Sequence, residues 1–206
     1  MNLPNKLTVL RMILVPVFVF ICMSTWLPFN FYFALFIFVV ASLTDMLDGK
    51  IARARNLVTN FGKFMDPLAD KLLVVSALIC LLIVENGERY CCNQVVAMIA
   101  VLIIVGREFV ISGFRLVASD AGVVIAASIW GKVKTATTMV AICFMLVVKE
   151  FSAFIPAMRE ITMALFWISV TLTVVSLVDY VVKNIDVMKE KKKPKFDEET
   201  GLPIEE

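Results

Sequence analysis

The sequence contains no histidine, so a carboxylate is the natural proton acceptor near neutral pH at any catalytic site. Charged residues are also scarce, at 18% of the 206 residues, whereas hydrophobic residues make up 60%. This balance excludes an ordinary soluble domain. The five cysteines show neither metal-ligand spacing nor a disulfide framework. The composition therefore indicates an integral membrane protein.

Six apolar runs are each long enough to cross a bilayer as a helix, which takes about 20 residues. They predict an all-α integral membrane protein with six transmembrane helices in one domain, residues 1–185. The charged segment that follows, residues 186–206, is predicted to be a disordered cytoplasmic tail whose lysines could contact anionic membrane lipid. The apolar runs cover residues 9–28, 31–49, 67–84, 94–112, 123–148 and 157–182.

The distribution of basic residues predicts the orientation in the membrane. With six spans both termini share one side, and the other side then carries few basic residues, namely Arg89, Lys149 and Arg159. The positive-inside rule places both termini at the cytoplasmic face of the plasma membrane. The net charge of +2 adds little to this asymmetry, and no nucleic-acid partner is expected.

Four aspartates stand between two apolar runs, in the stretch from Asp45 to Asp70. Asp45 and Asp48 are three residues apart, and Asp66 and Asp70 are four apart, so in helices each pair projects from one face. An unpaired aspartate near the bilayer centre costs roughly 2.5–3.5 kcal/mol, so a cation is expected among them. Carboxylate oxygens suit Mg²⁺, Ca²⁺ or Mn²⁺, and four of them can hold two ions.

Small residues extend both aspartate stripes. Gly49 lies four residues after Asp45, Ala52 continues that stripe, and Gly62 lies four residues before Asp66. A ligand could approach the backbone there, and the neighbouring Arg53 could meet a phosphate. Together the residue types indicate a site for a phosphate ester.

The pattern D-x2-D-G-x2-A-R-x8-G-x3-D-x3-D resembles the signature of the CDP-alcohol phosphotransferase family. A helix cap at Asp66 before Pro67 could explain that one aspartate, but it does not explain eight positions at fixed spacing. The predicted six helices extend the resemblance over most of the chain. The matching positions are Asp45, Asp48, Gly49, Ala52, Arg53, Gly62, Asp66 and Asp70.

The segment from Pro4 to Arg11 resembles the amino-terminal P-N-x-L-T-x-x-R segment of the same family. The resemblance implies that Asn5 reaches the phosphates of a nucleotide at the membrane surface. The alternative is an interfacial anchor in which Lys6 and Arg11 face water, and we prefer it for Lys6.

A second basic group follows in the sequence and could hold a small dianion such as a phosphate monoester. Arginines could bind it through paired hydrogen bonds and lysines as point charges. The alternative is that these cations only set the orientation. The run from Gly131 to Thr135 is not a P-loop, because Val133 stands where Ser or Thr is required. The group consists of Arg107, Arg115, Lys132 and Lys134, and it resembles the phosphatidylglycerophosphate synthase branch of the family.

The family resemblance implies an enzyme of phospholipid biosynthesis that transfers the phosphatidyl group of CDP-diacylglycerol to an alcohol and releases CMP. Glycerol 3-phosphate is the expected acceptor, with inositol phosphate, serine or phosphatidylglycerol as alternatives. Two Mg²⁺ ions, or Mn²⁺ instead, are expected on Asp45, Asp48, Asp66 and Asp70, with Asp70 also as the general base. The family also implies a homodimer, which the aromatic residues of 31–38 could form, although lipid contact explains them equally well.

A cation transporter is the alternative from another functional class, with the aspartates as its transport site. Against it, the acidic residues lie toward the predicted cytoplasmic end, and no span continues an acidic path to the other face.

Overall fold

The computed structural model describes residues 3–54, 60–120 and 128–184. Within its helices, side chains are described except at 3–4, 45–54, 60–64, 66–67, 70 and 119–120. The described part contains six α-helices and no strand, which confirms the all-α prediction. The helices are α1 Leu3–Met23, α2 Asn30–Ala54, α3 Asn60–Ile83, α4 Gln94–Asp120, α5 Ile129–Ser152 and α6 Met158–Asn184. The predicted tail, residues 186–206, lies outside the described residues.

Four stretches of the described residues are long and apolar enough to cross a membrane, which makes this a multi-pass membrane protein. A shorter apolar helical stretch covers Asn30–Thr44 in α2. That six helices span the membrane therefore stays a prediction. The four stretches are Asn5–Met23, Gln94–Ala118, Ile129–Ser152 and Met158–Asn184.

Helix α1 begins earlier than the hydropathy of the sequence suggests. Its first turn includes the polar segment around Asn5, and the helix ends at Met23, before the predicted end of the first apolar run. The α1–α2 connection is held by Asn30, whose Nδ2 donates to the carbonyl oxygens of Cys22, at 3.3 Å, and Ser24, at 2.8 Å. These contacts bring the end of α1 beside the start of α2.

The core of the bundle consists of apolar side chains from all six helices. Phe18, Leu78 and Met145 are among the fully buried residues, and Phe166 packs edge-on against Tyr90 with ring centres 4.9 Å apart. Phe31 and Phe38, two of the aromatic residues predicted to be available for a subunit interface, are instead buried within the protomer. They face the core because residues seven apart in a helix lie on nearly the same side. Exposed members of that group are Tyr32, Phe33 and Phe36.

Helices α5 and α6 pack through small polar side chains. The hydroxyl oxygens of Thr138 and Ser169 lie 2.7 Å apart, and both residues are buried. Thr162, Thr173 and Ser176 continue the buried stripe along α6. Small residues let helix backbones approach closely, and their hydroxyls bond within the bundle, which stabilises helix pairs in a membrane.

One end of the bundle is organised by Arg89, in the segment Val84–Tyr90 between α3 and α4, and we call it the Arg89 end. The guanidinium is 1% exposed and donates to Glu150, at 2.9 and 3.2 Å, and to the carbonyl oxygen of Leu146 at 2.7 Å. Its Nε lies 2.9 Å from Glu85, and its Cζ stacks 3.4 Å from the centre of the Phe31 ring.

Lys149 adds a more exposed ion pair at the same end, with its Nζ 2.7 Å from Glu88. Hydrogen bonding to Lys149 lowers the pKa of the Glu88 carboxyl, so this exposed pair is ionised at neutral pH. Because water screens it, an exposed pair of this kind contributes little to stability.

Replacing Arg89 by Ala is expected to destabilise the bundle by about 3–5 kcal/mol. The change removes the buried contacts of the guanidinium and leaves Glu150 without this partner. Lys149→Ala, at the exposed pair, is the matched control and should lower the stability much less, because water already screens that pair. Unfolding of both variants in mixed micelles by increasing SDS measures the difference. Equal midpoints for the two variants would contradict the structural role of Arg89.

Candidate active site

The four aspartates of the sequence motif lie on two helices that are in contact. Asp45 and Asp48 are in the last turns of α2, and Asp66 and Asp70 are in the first half of α3. The structure therefore confirms that each pair shares a helix, as the spacing argument requires. The side chains that the structure describes do not include those of the eight motif residues, which are Asp45, Asp48, Gly49, Ala52, Arg53, Gly62, Asp66 and Asp70.

The amino-terminal segment forms one buried face of α1. Asn5 and Thr8 are buried, and Arg11 is 0% exposed, so the interpretation of Arg11 as a water-facing anchor is wrong. The reason is the helical period: residues three apart share a side, and this side faces the bundle. None of the three is without an interaction partner. Lys6 is exposed, as we expected.

At the end of the bundle opposite Arg89, two of the predicted cations share one carboxylate, and we call this the Lys134 end. Oε1 of Glu108 accepts from Arg107 Nη1 at 2.9 Å and from Lys134 Nζ at 2.7 Å. Both cations are nearly buried, with side chains 8% and 3% exposed. Their nitrogens lie within about 6 Å of each other, where two bare charges would repel by about 3 kcal/mol at an effective dielectric of about 20. Glu108 offsets that repulsion.

The hydroxyl of Ser176 on α6 accepts a hydrogen bond from the second terminal nitrogen of the Arg107 guanidinium. Nη2 donates to Ser176 Oγ at 2.6 Å, while the buried Nε has no hydrogen-bond partner among the described residues. A Cβ at Gly131 would lie 3.2 Å from Nη2, so this glycine leaves the space that the guanidinium occupies. An unsatisfied buried N–H costs about 1–3 kcal/mol, which an anion reaching it would recover.

The other two predicted cations, Arg115 and Lys132, are exposed, so the four do not form one buried cluster. Arg115 lies eight residues after Arg107, which turns it about 80° around α4, and its Cζ lies 6.0 Å from the Tyr180 ring centre. Lys132 precedes Lys134 by two residues and therefore lies on nearly the opposite side of α5.

A small cavity lies between α3, α4 and α5 at the Lys134 end. Its volume is about 30 Å³, room for one or two water molecules. Lys71, Glu108 and Lys134 line it, together with Thr135 and Thr138, and valine, leucine and isoleucine side chains form the remaining wall. Lys71 Nζ donates to Ser112 Oγ on α4, and this hydrogen bond joins α3 to α4 beside the cavity. The cavity therefore presents charged groups against an apolar wall.

Comparison with known proteins gives the family. The model of the family described as CDP-alcohol phosphatidyltransferase matches residues 1–175. The chain belongs to this family. Among its relatives, a protein of Bacillus subtilis is 37% identical over 199 residues, covering 91% of this chain and 97% of the relative. It is named CDP-diacylglycerol–glycerol-3-phosphate 3-phosphatidyltransferase.

Proteins with the same name in other bacteria are similarly related. That of Rickettsia felis is 36% identical over 183 residues, covering 87% of this chain and 93% of the relative. That of Shigella flexneri is 37% identical over 183 residues, covering 87% of this chain and 92% of the relative. The similarity therefore extends over nearly the whole of each protein and is not confined to the aspartate motif.

The sequence did not single out three residues that the structure places at the Lys134 end, namely Lys71, Glu108 and Ser176. A signal existed for Glu108, because an acid inside an apolar span is expected to have a cationic partner, and Arg107 precedes it. Lys71 directly follows the motif residue Asp70, but a lysine near the cytoplasmic end of an apolar run is expected from the positive-inside rule alone. Ser176 gave no signal, because a serine in a transmembrane helix is common at packing interfaces.

Gly131→Ala tests the close approach of Arg107 to α5. Alanine normally stabilises a helix interior by about 0.5–1 kcal/mol relative to glycine, but here its Cβ would press on Nη2. We expect Gly131→Ala to gain less stability than Gly113→Ala, where no atom lies within 4 Å of the added Cβ. Thermal unfolding in detergent measures both, and an equal gain would show that the guanidinium does not need this space.

Proposed function

We propose that the protein transfers the phosphatidyl group of CDP-diacylglycerol to glycerol 3-phosphate, which yields phosphatidylglycerol phosphate and CMP. Membership of the CDP-alcohol phosphatidyltransferase family and the shared name of the relatives support this activity. The observation in the structure that carries the choice of acceptor is the buried pair of Arg107 and Lys134. A neutral alcohol would have no use for two buried cations.

The aspartates are proposed to bind divalent cations. Carboxylate oxygens are hard ligands, and the donor set therefore fits Mg²⁺, with Mn²⁺ as the alternative. Two ions held there would neutralise the pyrophosphate of the donor and stabilise charge on the attacking and leaving oxygens. The proposed ligands are Asp45, Asp48, Asp66 and Asp70.

The residues of α1 and α2 are proposed to bind the nucleotide of CDP-diacylglycerol. Asn5 is buried on the inner face of α1, where its amide could donate to a phosphate oxygen. Gly49, Ala52 and Gly62 would let the nucleotide approach the helix backbones, and Arg53 would pair with its phosphate.

The acceptor is proposed to bind through its phosphate at the Lys134 end. Arg107 and Lys134 would make the buried contacts, and the exposed Arg115 and Lys132 would draw the anion in from the rim. Arg107 has the buried Nε–H available for a phosphate oxygen. The cavity beside Glu108 is too small for the whole acceptor, so the acceptor would sit at its mouth.

Asp70 is proposed as the general base. It would accept the proton of the acceptor hydroxyl as the hydroxyl oxygen forms a bond to the phosphorus that carries diacylglycerol. The bond between that phosphorus and the oxygen of CMP breaks, and CMP leaves with the electron pair. With no histidine in the sequence, a carboxylate on the helix that also carries Lys71 is suited to this role.

We further propose that all six helices span the plasma membrane and that the active site faces the cytoplasm. The contacts of Arg89 join the start of α2 to the end of α5, whereas Lys134 makes its contact with Glu108 near the start of α5. This alternation supports both termini on one side. A homodimer could use exposed apolar residues of α2 such as Phe33 and Phe36.

Each of the four motif aspartates is expected to be needed for turnover. Changing any one to Asn should lower the rate of CMP release about 100-fold or more, the usual size of losing one electrostatic stabiliser, and EDTA should do the same to the wild type. Asp179→Asn is the control, because Asp179 of α6 pairs with Lys183 of the same helix and accepts a hydrogen bond from Ser128, just before α5. Full activity in EDTA would exclude the metal role.

The acceptor assignment is tested by measuring CMP release from CDP-diacylglycerol with different acceptors. Glycerol 3-phosphate should give the fastest release, inositol 1-phosphate slower release, and serine, free inositol and phosphatidylglycerol only background. Faster release with serine or free inositol would overturn the acceptor assignment and leave the family intact.

Arg107→Ala should raise the KM for glycerol 3-phosphate about ten-fold or more and leave that for CDP-diacylglycerol nearly unchanged, since one charge-assisted contact contributes about 1.5–3 kcal/mol. Arg159→Ala is the matched control, an exposed arginine near the start of α6. An equal rise of both KM values would contradict the proposal that Arg107 binds the acceptor and not CDP-diacylglycerol.

A further inference from the structure

We propose that Glu108 is the positioning residue of the acceptor-phosphate site: its carboxylate holds Arg107 and Lys134 together, where both can bind the phosphate of the acceptor. The inference rests on the proposed function, because it concerns how the site is prepared for a phosphorylated acceptor. Glu108 itself need not contact the acceptor.

The first support is the sharing of one oxygen atom. Oε1 of Glu108 is 2.9 Å from Nη1 of Arg107 and 2.7 Å from Nζ of Lys134, although the two cations come from different helices, α4 and α5. Because both cations are nearly buried, water cannot screen them well. The carboxylate therefore fixes the distance between two groups that would otherwise separate.

The second support is the orientation of the guanidinium. Glu108 holds Nη1, and Ser176 holds Nη2 at 2.6 Å, so the plane of the group is defined by two hydrogen bonds to different elements. The buried Nε–H remains without a hydrogen-bond partner among the described residues. An arginine fixed in this way can present its remaining donors to a tetrahedral anion without first losing side-chain freedom.

Glu108→Gln removes the charge and keeps the size of the side chain. We expect the KM for glycerol 3-phosphate to rise roughly ten-fold or more, and the KM for CDP-diacylglycerol to stay within about two-fold. Glu150→Gln is the matched control, because Glu150 also accepts two hydrogen bonds from a buried arginine, but at the Arg89 end. It should leave both KM values unchanged even if it lowers the melting temperature.

Two further variants separate positioning from a merely structural role. Glu108→Asp keeps the charge on a shorter side chain, so its acceptor KM should fall between those of the wild type and Glu108→Gln. In a double-mutant cycle, Glu108→Gln should raise the acceptor KM much less when Arg107 is already Ala, because Glu108 acts through Arg107. Additive effects, or an acceptor KM that falls in Glu108→Gln, would overturn the proposal.

Binding of inorganic phosphate gives a readout that does not depend on turnover. Phosphate should raise the melting temperature of the detergent-solubilised full chain and of Glu150→Gln, but much less that of Glu108→Gln. An equal shift in all three would overturn the role of Glu108. Failure of the proposed function looks different: the wild type would then release CMP with serine or free inositol rather than with glycerol 3-phosphate.

Discussion

A charge held inside a helix bundle in a membrane has to be compensated by an opposite charge, because neither lipid nor water is there to solvate it. The two ends of this bundle meet the requirement in different ways. Arg89 and Lys149 have three carboxylates within reach, on Glu85, Glu88 and Glu150, so the cations there are fully compensated. At the other end, Arg107 of α4 and Lys134 of α5 meet on one carboxylate oxygen of Glu108. The first arrangement joins the segment between α3 and α4 to α5, and the second joins α4 to α5.

The part of the site that the sequence could predict is the part set by short spacings. Residues three or four apart face the same way in any helix, so the aspartate pairs could be assigned to two helices without knowing how those helices pack. Asp45 with Asp48, and Asp66 with Asp70, are indeed on α2 and α3. The helical class followed from apolar runs, although the start of α1 did not, because the polar residues Asn5 and Thr8 are buried by packing and not by their hydropathy.

What the sequence could not predict depends on which helix faces meet. Arg107 and Arg115 look equivalent as two basic residues of α4, yet their separation of eight residues turns one toward Ser176 in the interior and leaves the other exposed. The burial of Arg11, Phe31 and Phe38 has the same origin. Positional equivalence in a sequence is therefore a weak guide once two turns of helix lie between the residues.

Helix α4 carries ties to three neighbours within little more than one turn. Ser112 accepts from Lys71 of α3, Glu108 from Lys134 of α5, and Arg107 reaches Ser176 of α6. These contacts fix the position of α4 along its axis, because sliding the helix by one turn, about 5.4 Å, would break all of them at once. Apolar surfaces alone tolerate such a slip, since one leucine contact resembles the next. The charged and polar groups thus select one position of α4 relative to its neighbouring helices in a bundle whose other contacts are mostly apolar.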